Sequence, residues 1–183
     1  MQFIHVLWLP ILLSGLAVFI VSAVIWMVLP HHRKEWAGFS NEDAVMDAIR
    51  AGNPAPGLYS APSSGGERPS PEVIAKMARG PVVFVTVMPG ASMAMGGKML
   101  KSVIFYITVG IFVAYMGTIA LPSGGEYLAV FRVTGTAAFM AYVFASVPDS
   151  IWFGRPWKSW IYQALEGLLY AGLTGGIFGW LWP

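Results

Sequence analysis

Two groups of side chains in the sequence have the chemistry of metal ligands. His31 and His32 are adjacent, and Met93, Met95 and Met99 lie together just before a long apolar run. Thioether sulfurs select Cu(I), so the methionines could form a copper site. The alternative is that they fill irregular apolar packing, the ordinary role of methionine. Adjacent side chains on a helix or strand point in different directions, so the histidine pair predicts contact with lipid headgroups rather than a chelate.

Charged residues within or beside apolar segments are a second source of chemistry, because ionisable groups there are costly and often functional. They are Arg132, Asp149, Arg155, Lys158 and Glu166. One interpretation is a proton or ion pathway that uses Glu166 and Arg132. The other is that these groups fix the depth and rotation of helices, with Glu166 paired to the segment that carries Arg155. Only Arg132 and Glu166 fall inside apolar runs, which favours the second interpretation.

Patterns that would identify an enzyme are absent from the sequence. It contains no HExxH, no paired carboxylates on one helix face and no dinucleotide-binding glycine pattern. It also contains no cysteine, which excludes thiolate metal sites and cysteine nucleophiles. We therefore expect no catalytic residue and no cofactor.

The elements that hold these side chains follow from composition. Of the 183 residues, 56% are hydrophobic and 11% are charged, against about 25% charged residues in soluble domains. Four apolar runs have about the 20 residues that a helix needs to cross a bilayer; they are residues 3–29, 102–121, 128–147 and 161–182. Lipid-exposed backbone must be hydrogen-bonded internally, so such runs are helical. The predicted fold class is an all-α integral membrane protein, a single membrane domain with four transmembrane helices.

Basic residues orient these helices. Lys and Arg are frequent in residues 30–101, and Arg155 and Lys158 lie before the last run, whereas both chain ends and residues 122–127 carry none. By the positive-inside rule, the basic connections are cytoplasmic and both termini lie outside. Aromatic rings favour membrane interfaces, and the predicted anchors at the inner interface are Trp36, Trp152, Trp157 and Trp160.

Residues 30–101 form a predicted cytoplasmic insert docked at the inner interface. Two short helices are expected in it, at residues 40–51 and 71–79, each with acidic residues in its first turn and glycine at its end. Residues 53–71 between them are rich in Pro, Gly and Ser, which predicts a linker. Residues 81–90 are apolar and too short to span, so a strand, a re-entrant segment and an interfacial segment remain open.

Small residues recur every fourth position in the last apolar run. This spacing lets helix backbones approach closely, and the predicted packing face consists of Gly167, Ala171, Gly175 and Gly179. The partner helix is either another span of the same chain or a neighbouring subunit.

Several segments resemble one group of proteins. "LPHHRKEW", "PDSIWFGRPWKS", "YLAVFRVTGT" and "GWLWP" are similar to the corresponding parts of small bacterial membrane proteins that carry the motifs HHR-x-x-W and PDS-I-W-x-G-R-P-W. The resemblance covers nearly the whole chain. It implies a bacterial inner-membrane location and carries over no catalytic residue.

The leading functional hypothesis is a non-enzymatic accessory or structural subunit of a membrane complex. Its expected partners are the lipid bilayer and a second protein or further copies of the chain, and no nucleic acid, because the basic residues cluster beside apolar runs rather than in one patch. The alternatives are a small transporter or ion-conducting oligomer that uses Glu166 and Arg132, and a copper-handling protein with methionine ligands.

Overall fold

The structure is a computed structural model that describes residues 2–88 and 95–183 and is mostly helical. Its helices and strands are, in chain order, α1 (Gln2–Val28), α2 (Glu42–Ala51), β1 (Gly57–Ala61), α3 (Pro71–Arg79), β2 (Val83–Val87), α4 (Gly96–Ala120), α5 (Tyr127–Val143), α6 (Val147–Trp152) and α7 (Trp157–Trp180). Two 3-10 turns, His32–Lys34 and Phe144–Ser146, complete them. The chain divides into a larger unit, from residues 1–36 and 94–183, and a smaller unit from residues 37–93.

Three helical stretches of the described chain are long and apolar enough to cross a membrane: Phe3–Val28, Gly96–Ala120 and Tyr127–Trp152. They indicate a membrane protein. In the most apolar 18-residue stretch of each helix, only 22–33% is buried inside the protein. Apolar side chains are therefore left on the outside to contact lipid. Helix α7 is 24 residues long, but Gln163, Glu166 and several glycines make it less apolar than these three.

The four long helices of the larger unit form a closed arrangement. Helix α1 contacts α4 and α7, and α5 contacts the same two helices. Toward the α1 N-terminus the core includes Leu7, Val113 and Phe178. Toward the other end, Val18, Ile25 and Tyr170 form a second buried cluster. The buried ionisable groups His32 and Glu166 lie near this second cluster, where α1 ends and α7 begins.

Helices α5 and α7 approach closely at the predicted small residues. A side chain at Gly175 would lie 2.9 Å from the Phe131 carbonyl oxygen and 3.1 Å from Gly135 Cα. At Gly167 it would overlap the Val143 side chain, and at Gly179 it would lie 2.8 Å from the Tyr127 ring. Ala171 on the same face is buried. Helix α5 of the same chain is thus the helix that covers this face.

The smaller unit contains a two-stranded antiparallel sheet. Strand β1 pairs with β2 from Gly57 opposite Val87 to Ala61 opposite Val83, and α3 lies between the strands in sequence. Ser70 caps α3 by accepting a hydrogen bond from Val73 N–H, and Gly80, with φ 62°, ends it. The strand alternative for residues 81–90 therefore holds for 83–87. The expectation that residues 53–71 form a linker throughout was wrong, because β1 lies within them.

Element boundaries differ from the sequence expectations mainly at helix starts. Helix α4 begins at Gly96 rather than near 102, and α7 begins at Trp157 rather than near 161. The added residues include Lys98, Lys101 and Lys158, and lysine is a good helix former although it interrupts an apolar run. Residues 30–36, assigned to the insert by sequence, belong to the larger unit.

Candidate functional site

The candidate site lies where the chain leaves α1 and passes the first turns of α7. Helix α1 ends at Val28, and after Pro30 the backbone enters the 3-10 turn His32–Lys34, with His31 in the right-handed helical region (φ −66°, ψ −37°). This tight turn brings the rings of His31 and His32 to a centroid distance of 4.2 Å. The expectation that adjacent histidines diverge was wrong here, because it assumed a regular helix or strand.

Both histidines converge on one carboxylate oxygen. The Nε2 atom of His31 lies 2.9 Å from Glu166 Oε1, and the Nε2 atom of His32 lies 2.6 Å from the same atom. The three ligand atoms all lie within 4.8 Å of one another. Two imidazole nitrogens and a carboxylate oxygen form a donor set that divalent transition metals accept.

Two contacts besides the one with Glu166 fix the ring of His32. Its Nδ1 atom lies 2.9 Å from Glu35 Oε1. The Trp26 ring stacks on it with a centroid distance of 3.7 Å and an interplanar angle of 7°. The residue is 6% exposed. A carboxylate on the second nitrogen of a histidine is the usual way in which a metal-binding imidazole is oriented.

Glu166 is held by contacts at both oxygens. The Tyr170 hydroxyl, one turn later on α7, donates to Oε2 at 3.4 Å, while Oε1 faces the histidines. The Glu166 side chain is 10% exposed. An ionised carboxylate buried to this extent is stable only with compensating partners. The nearest partners are the two imidazoles and the tyrosine.

The two carboxylate contacts of His32 require more positive charge than a neutral imidazole carries. Both nitrogens of His32 face carboxylates, but a neutral imidazole carries only one N–H. If Nδ1–H donates to Glu35, the lone pair of Nε2 faces Glu166 Oε1 at 2.6 Å. Two lone pairs repel each other at that distance unless a positive species lies between them. Either an additional proton or a metal cation meets this requirement.

Two cavities adjoin the cluster. We call the first, of about 300 Å³, the tyrosine cavity; His32 and Glu166 line it together with Tyr142, Arg155 and Tyr170. The second, of about 380 Å³, is lined by residues that include His31, Lys34, Glu35, Lys158 and Tyr162. The cluster is therefore accessible from two directions although Glu166 and His32 are buried.

Arg155 lines the tyrosine cavity without pairing to Glu166. Its Nη1 donates to Gln163 Oε1 at 2.6 Å, and its backbone N–H donates to the Asp149 carbonyl oxygen at 3.2 Å. The described residues include no carboxylate within ion-pair distance of this guanidinium. The predicted pairing of Glu166 with the Arg155 segment was wrong, because the histidines occupy the carboxylate.

Among the described residues, the other charged candidates form no ion pair with the cluster. Arg132 is exposed on α5 and lines a cavity with Met116 and Met140. Asp149 is exposed in the first turn of α6. The Nζ atom of Lys158 lies 5.8 Å from the Tyr162 ring centroid, over its face. Within the described part of the chain, Arg132 and Glu166 thus share no ion pair and no cavity.

The predicted methionine ligands do not join the histidines. Met95 and Met99 line a cavity of about 260 Å³ together with Met27 and Trp26. Met93 lies outside the described residues. Trp26 and Tyr106 line both this cavity and the tyrosine cavity, but His31, His32 and Glu166 do not line the methionine-lined cavity. A mixed histidine and methionine site therefore has no support among the described side chains.

The predicted interfacial tryptophans differ in exposure. Trp36 is 83% exposed and Trp152 is 73% exposed. Trp157 is also exposed and packs edge-on against the half-buried Trp160 at 5.9 Å. These rings lie on the same end of the larger unit as the histidine–glutamate cluster, beside the start of α7.

Comparison with protein-family models, with curated proteins and with solved structures finds no match to this chain. A functional assignment therefore depends on the geometry of the buried cluster. Sequence reasoning missed Glu35, Tyr170 and Trp26. Two of them carry a local signal: Glu35 follows His32 by three residues and Tyr170 follows Glu166 by four, the spacings of neighbours on a helical surface.

Proposed function

We propose that the protein is an integral protein of the bacterial inner membrane with four spans and both termini outside. Helix α7 supplies the fourth span. Its 24 residues correspond to about 36 Å, longer than the roughly 30 Å hydrocarbon core. Packing against α5 and α1 covers the face that carries Glu166 and most of its glycines, so the less apolar residues of α7 are shielded from lipid.

The absence of cysteine makes this topology directly testable. Ser123, between α4 and α5, and Ser40, before α2, are both exposed, and each can be replaced by Cys in an otherwise cysteine-free chain. We expect a membrane-impermeant maleimide to label Ser123→Cys from the periplasmic side and Ser40→Cys only in inverted vesicles. Labelling of both positions from one side would show that α4 does not cross the membrane between them and would contradict the proposed topology.

We further propose that the protein binds a divalent transition-metal ion, with zinc as the first candidate, through His31, His32 and Glu166. The single observation that carries this proposal is the convergence of both Nε2 atoms on Glu166 Oε1 at 2.6 and 2.9 Å in a buried site. Zn²⁺ accepts two histidines and one glutamate as its protein ligands. Bonds of about 2.0–2.1 Å place tetrahedral ligand atoms about 3.3 Å apart, so each imidazole nitrogen needs to move away from Glu166 Oε1 by less than about 1 Å.

The charge of a divalent ion matches the charge of this site. Glu35 and Glu166 bring two carboxylates with side chains 13% and 10% exposed. A divalent cation balances both carboxylates while His31 and His32 remain neutral, and neutral imidazole is the form that binds metals. The Glu35 contact then keeps the proton of His32 on Nδ1 and leaves Nε2 free to coordinate.

The biological role that we propose remains that of an accessory subunit, now one that holds a metal ion for a membrane complex. Exposed rings of Trp36, Trp152 and Trp157 beside the site support contact with lipid or with a partner protein. Purification as a lone monomer in mild detergent would count against this role. Transport through Glu166 is the second candidate, supported by the tyrosine cavity that Glu166 lines.

The metal proposal is tested by titration of the protein purified without a polyhistidine tag. After treatment with a chelator, we expect one Zn²⁺ to bind per chain in competition with a chromophoric chelator. His5→Ala is the matched control, since it removes the histidine outside the site, and its titration should be unchanged. A wild-type protein that binds no Zn²⁺, or a His31→Ala, His32→Ala double variant that binds as the wild type does, would refute the proposal.

A further inference from the structure

We infer that the metal at His31, His32 and Glu166 has an open coordination position facing the tyrosine cavity, and that a phosphate-type oxyanion binds there with Arg155. This inference rests on the proposed metal function and names the ligand of the same site. His32 and Glu166 both line the tyrosine cavity, so a ligand in that cavity can reach a metal bound between them.

The number of protein ligands leaves room for this oxyanion. Three side chains of the described chain converge as a donor set, whereas zinc is at least four-coordinate. Structural zinc sites are closed by four protein ligands, and sites with three keep a position for water or a substrate. Glu35 does not fill the position, because it contacts the Nδ1 side of His32, away from the atom that coordinates.

Besides the metal, Arg155 is the second group that contacts the oxyanion. One of its guanidinium nitrogens donates to Gln163, a neutral partner, and no carboxylate of the described chain neutralises its charge. A guanidinium presents five N–H donors in a planar fork that matches phosphate and carboxylate oxygens. A half-buried arginine on a cavity wall, held in place by an amide, is arranged to receive an anion.

The size and lining of the cavity favour phosphate over a carboxylate. Its volume of about 300 Å³ is sufficient for a phosphate group. Besides Arg155, the cavity is lined by Tyr106 and Tyr142, whose hydroxyl groups are potential donors. Phosphate has three or four oxygens, so separate oxygens can contact the metal, the guanidinium and the phenol hydroxyls, whereas a carboxylate must make all these contacts through two oxygens.

Two sources can supply this chemistry, a lipid headgroup and free phosphate. The cavity lies at the basic end of the helices, where lipid headgroups are found in the proposed topology. Its wall includes Phe105, which is 51% exposed on α4 and could contact an acyl chain. A soluble phosphate compound could reach the same position from the aqueous side, so the experiment compares both.

The experiment uses Co²⁺ as the metal, because its visible spectrum reports coordination number and geometry. The full chain is purified in a phosphate-free detergent, loaded with Co²⁺, and titrated separately with inorganic phosphate and with dihexanoyl phosphatidic acid. We expect the Co²⁺ bands to shift with saturation in at least one titration. A response to the lipid alone identifies a headgroup site, and a response to inorganic phosphate identifies a site for the phosphate group itself.

Variants distinguish a specific hydrogen bond from Arg155 from a general effect of positive charge. Arg155→Gln should raise the half-saturating concentration of the effective phosphate compound at least about 10-fold, because a charge-assisted hydrogen bond is lost. Arg155→Lys keeps the charge without the planar fork and should fall between this variant and the wild type. Lys158→Gln removes a cation that lines the other cavity and should leave the titration unchanged.

The outcomes distinguish this inference from the proposal on which it rests. If Co²⁺ gives a ligand-field spectrum that neither phosphate compound alters, the metal function stands and the phosphate inference is wrong. Equal responses of Arg155→Gln and the wild type would also overturn it. If Co²⁺ and Zn²⁺ do not bind to the wild type at all, the metal function fails first and the inference fails with it.

Discussion

Replacing Glu166 by Gln should weaken Zn²⁺ binding by more than about 100-fold, a larger loss than the 10–100-fold typical of changes outside the ligand set. Gln has nearly the same shape as Glu and can still accept a hydrogen bond from Tyr170. It lacks the negative charge, however, and its amide is a poor ligand for zinc, for which carboxylate is the usual oxygen donor. The two histidines alone cannot retain the ion in a site that partly excludes water.

The measurement is a competition titration together with a thermal unfolding curve, with and without Zn²⁺. A ligand that binds only the folded state stabilises it by about 2.7 kcal/mol at 100 times its dissociation constant. Zinc should therefore raise the unfolding temperature of the wild type and leave that of Glu166→Gln unchanged. Glu35→Gln is the graded comparison, with a 10–100-fold loss of affinity because it alters only the orientation of His32.

A wild-type response in Glu166→Gln would show that the carboxylate is not a ligand. Loss of the folded protein in the variant without zinc would instead show that Glu166 stabilises the structure through its histidine and tyrosine contacts. Measuring unfolding in the absence of metal separates these results, because only the second lowers the unfolding temperature of the chelator-treated protein.

The second large effect concerns the contact between α5 and α7. Gly175→Ala places a methyl group 2.9 Å from the Phe131 carbonyl oxygen and 3.1 Å from Gly135 Cα. Both neighbours are backbone atoms, so no side chain can rotate away and the helices must separate. We expect a loss of about 1–3 kcal/mol in the free energy of unfolding, the range for overpacked interiors.

Gly172→Ala is the matched control three residues earlier on the same helix. A side-chain atom at Gly172 would meet no other atom within 4 Å. Alanine is favoured over glycine in a helix by about 0.8–1.0 kcal/mol in water, so this variant should unfold at the same or a higher denaturant concentration than the wild type. Equal destabilisation by the two substitutions would contradict the close approach of α5 and α7 at Gly175.

The long helices could be predicted from the sequence because the physics of lipid leaves few alternatives. An uncharged run such as residues 3–29 is helical wherever it is surrounded by hydrocarbon, since its backbone has no other hydrogen-bond partners. The spacing of Gly167, Ala171, Gly175 and Gly179 indicated one face of α7 for a similar reason. It did not indicate the partner, which depends on how the helices are connected.

The candidate site was less predictable because its geometry depends on long-range contacts. Glu166 was assigned to the nearby segment of Arg155, but its partners His31 and His32 are 135 and 134 residues away. Adjacent histidine side chains point apart in a regular helix or strand, and the 3-10 turn after Pro30 that brings them together has no strong sequence signal. Strand β1 was missed for the same reason: five residues among glycines and prolines become a strand only by pairing with β2.

Glu166 and His32 are 134 residues apart in the sequence, which determines when their contact can form during synthesis. Chains emerge from the ribosome with the N-terminal part first, so His31 and His32 are exposed while α4 and α5 are still being synthesised. The cluster can close only after α7 has been synthesised and has packed on α1. Its closure connects the end of the first long helix to the start of α7, and it therefore depends on the docking of α7: a chain truncated before α7 would lack it even if its earlier helices were correctly placed.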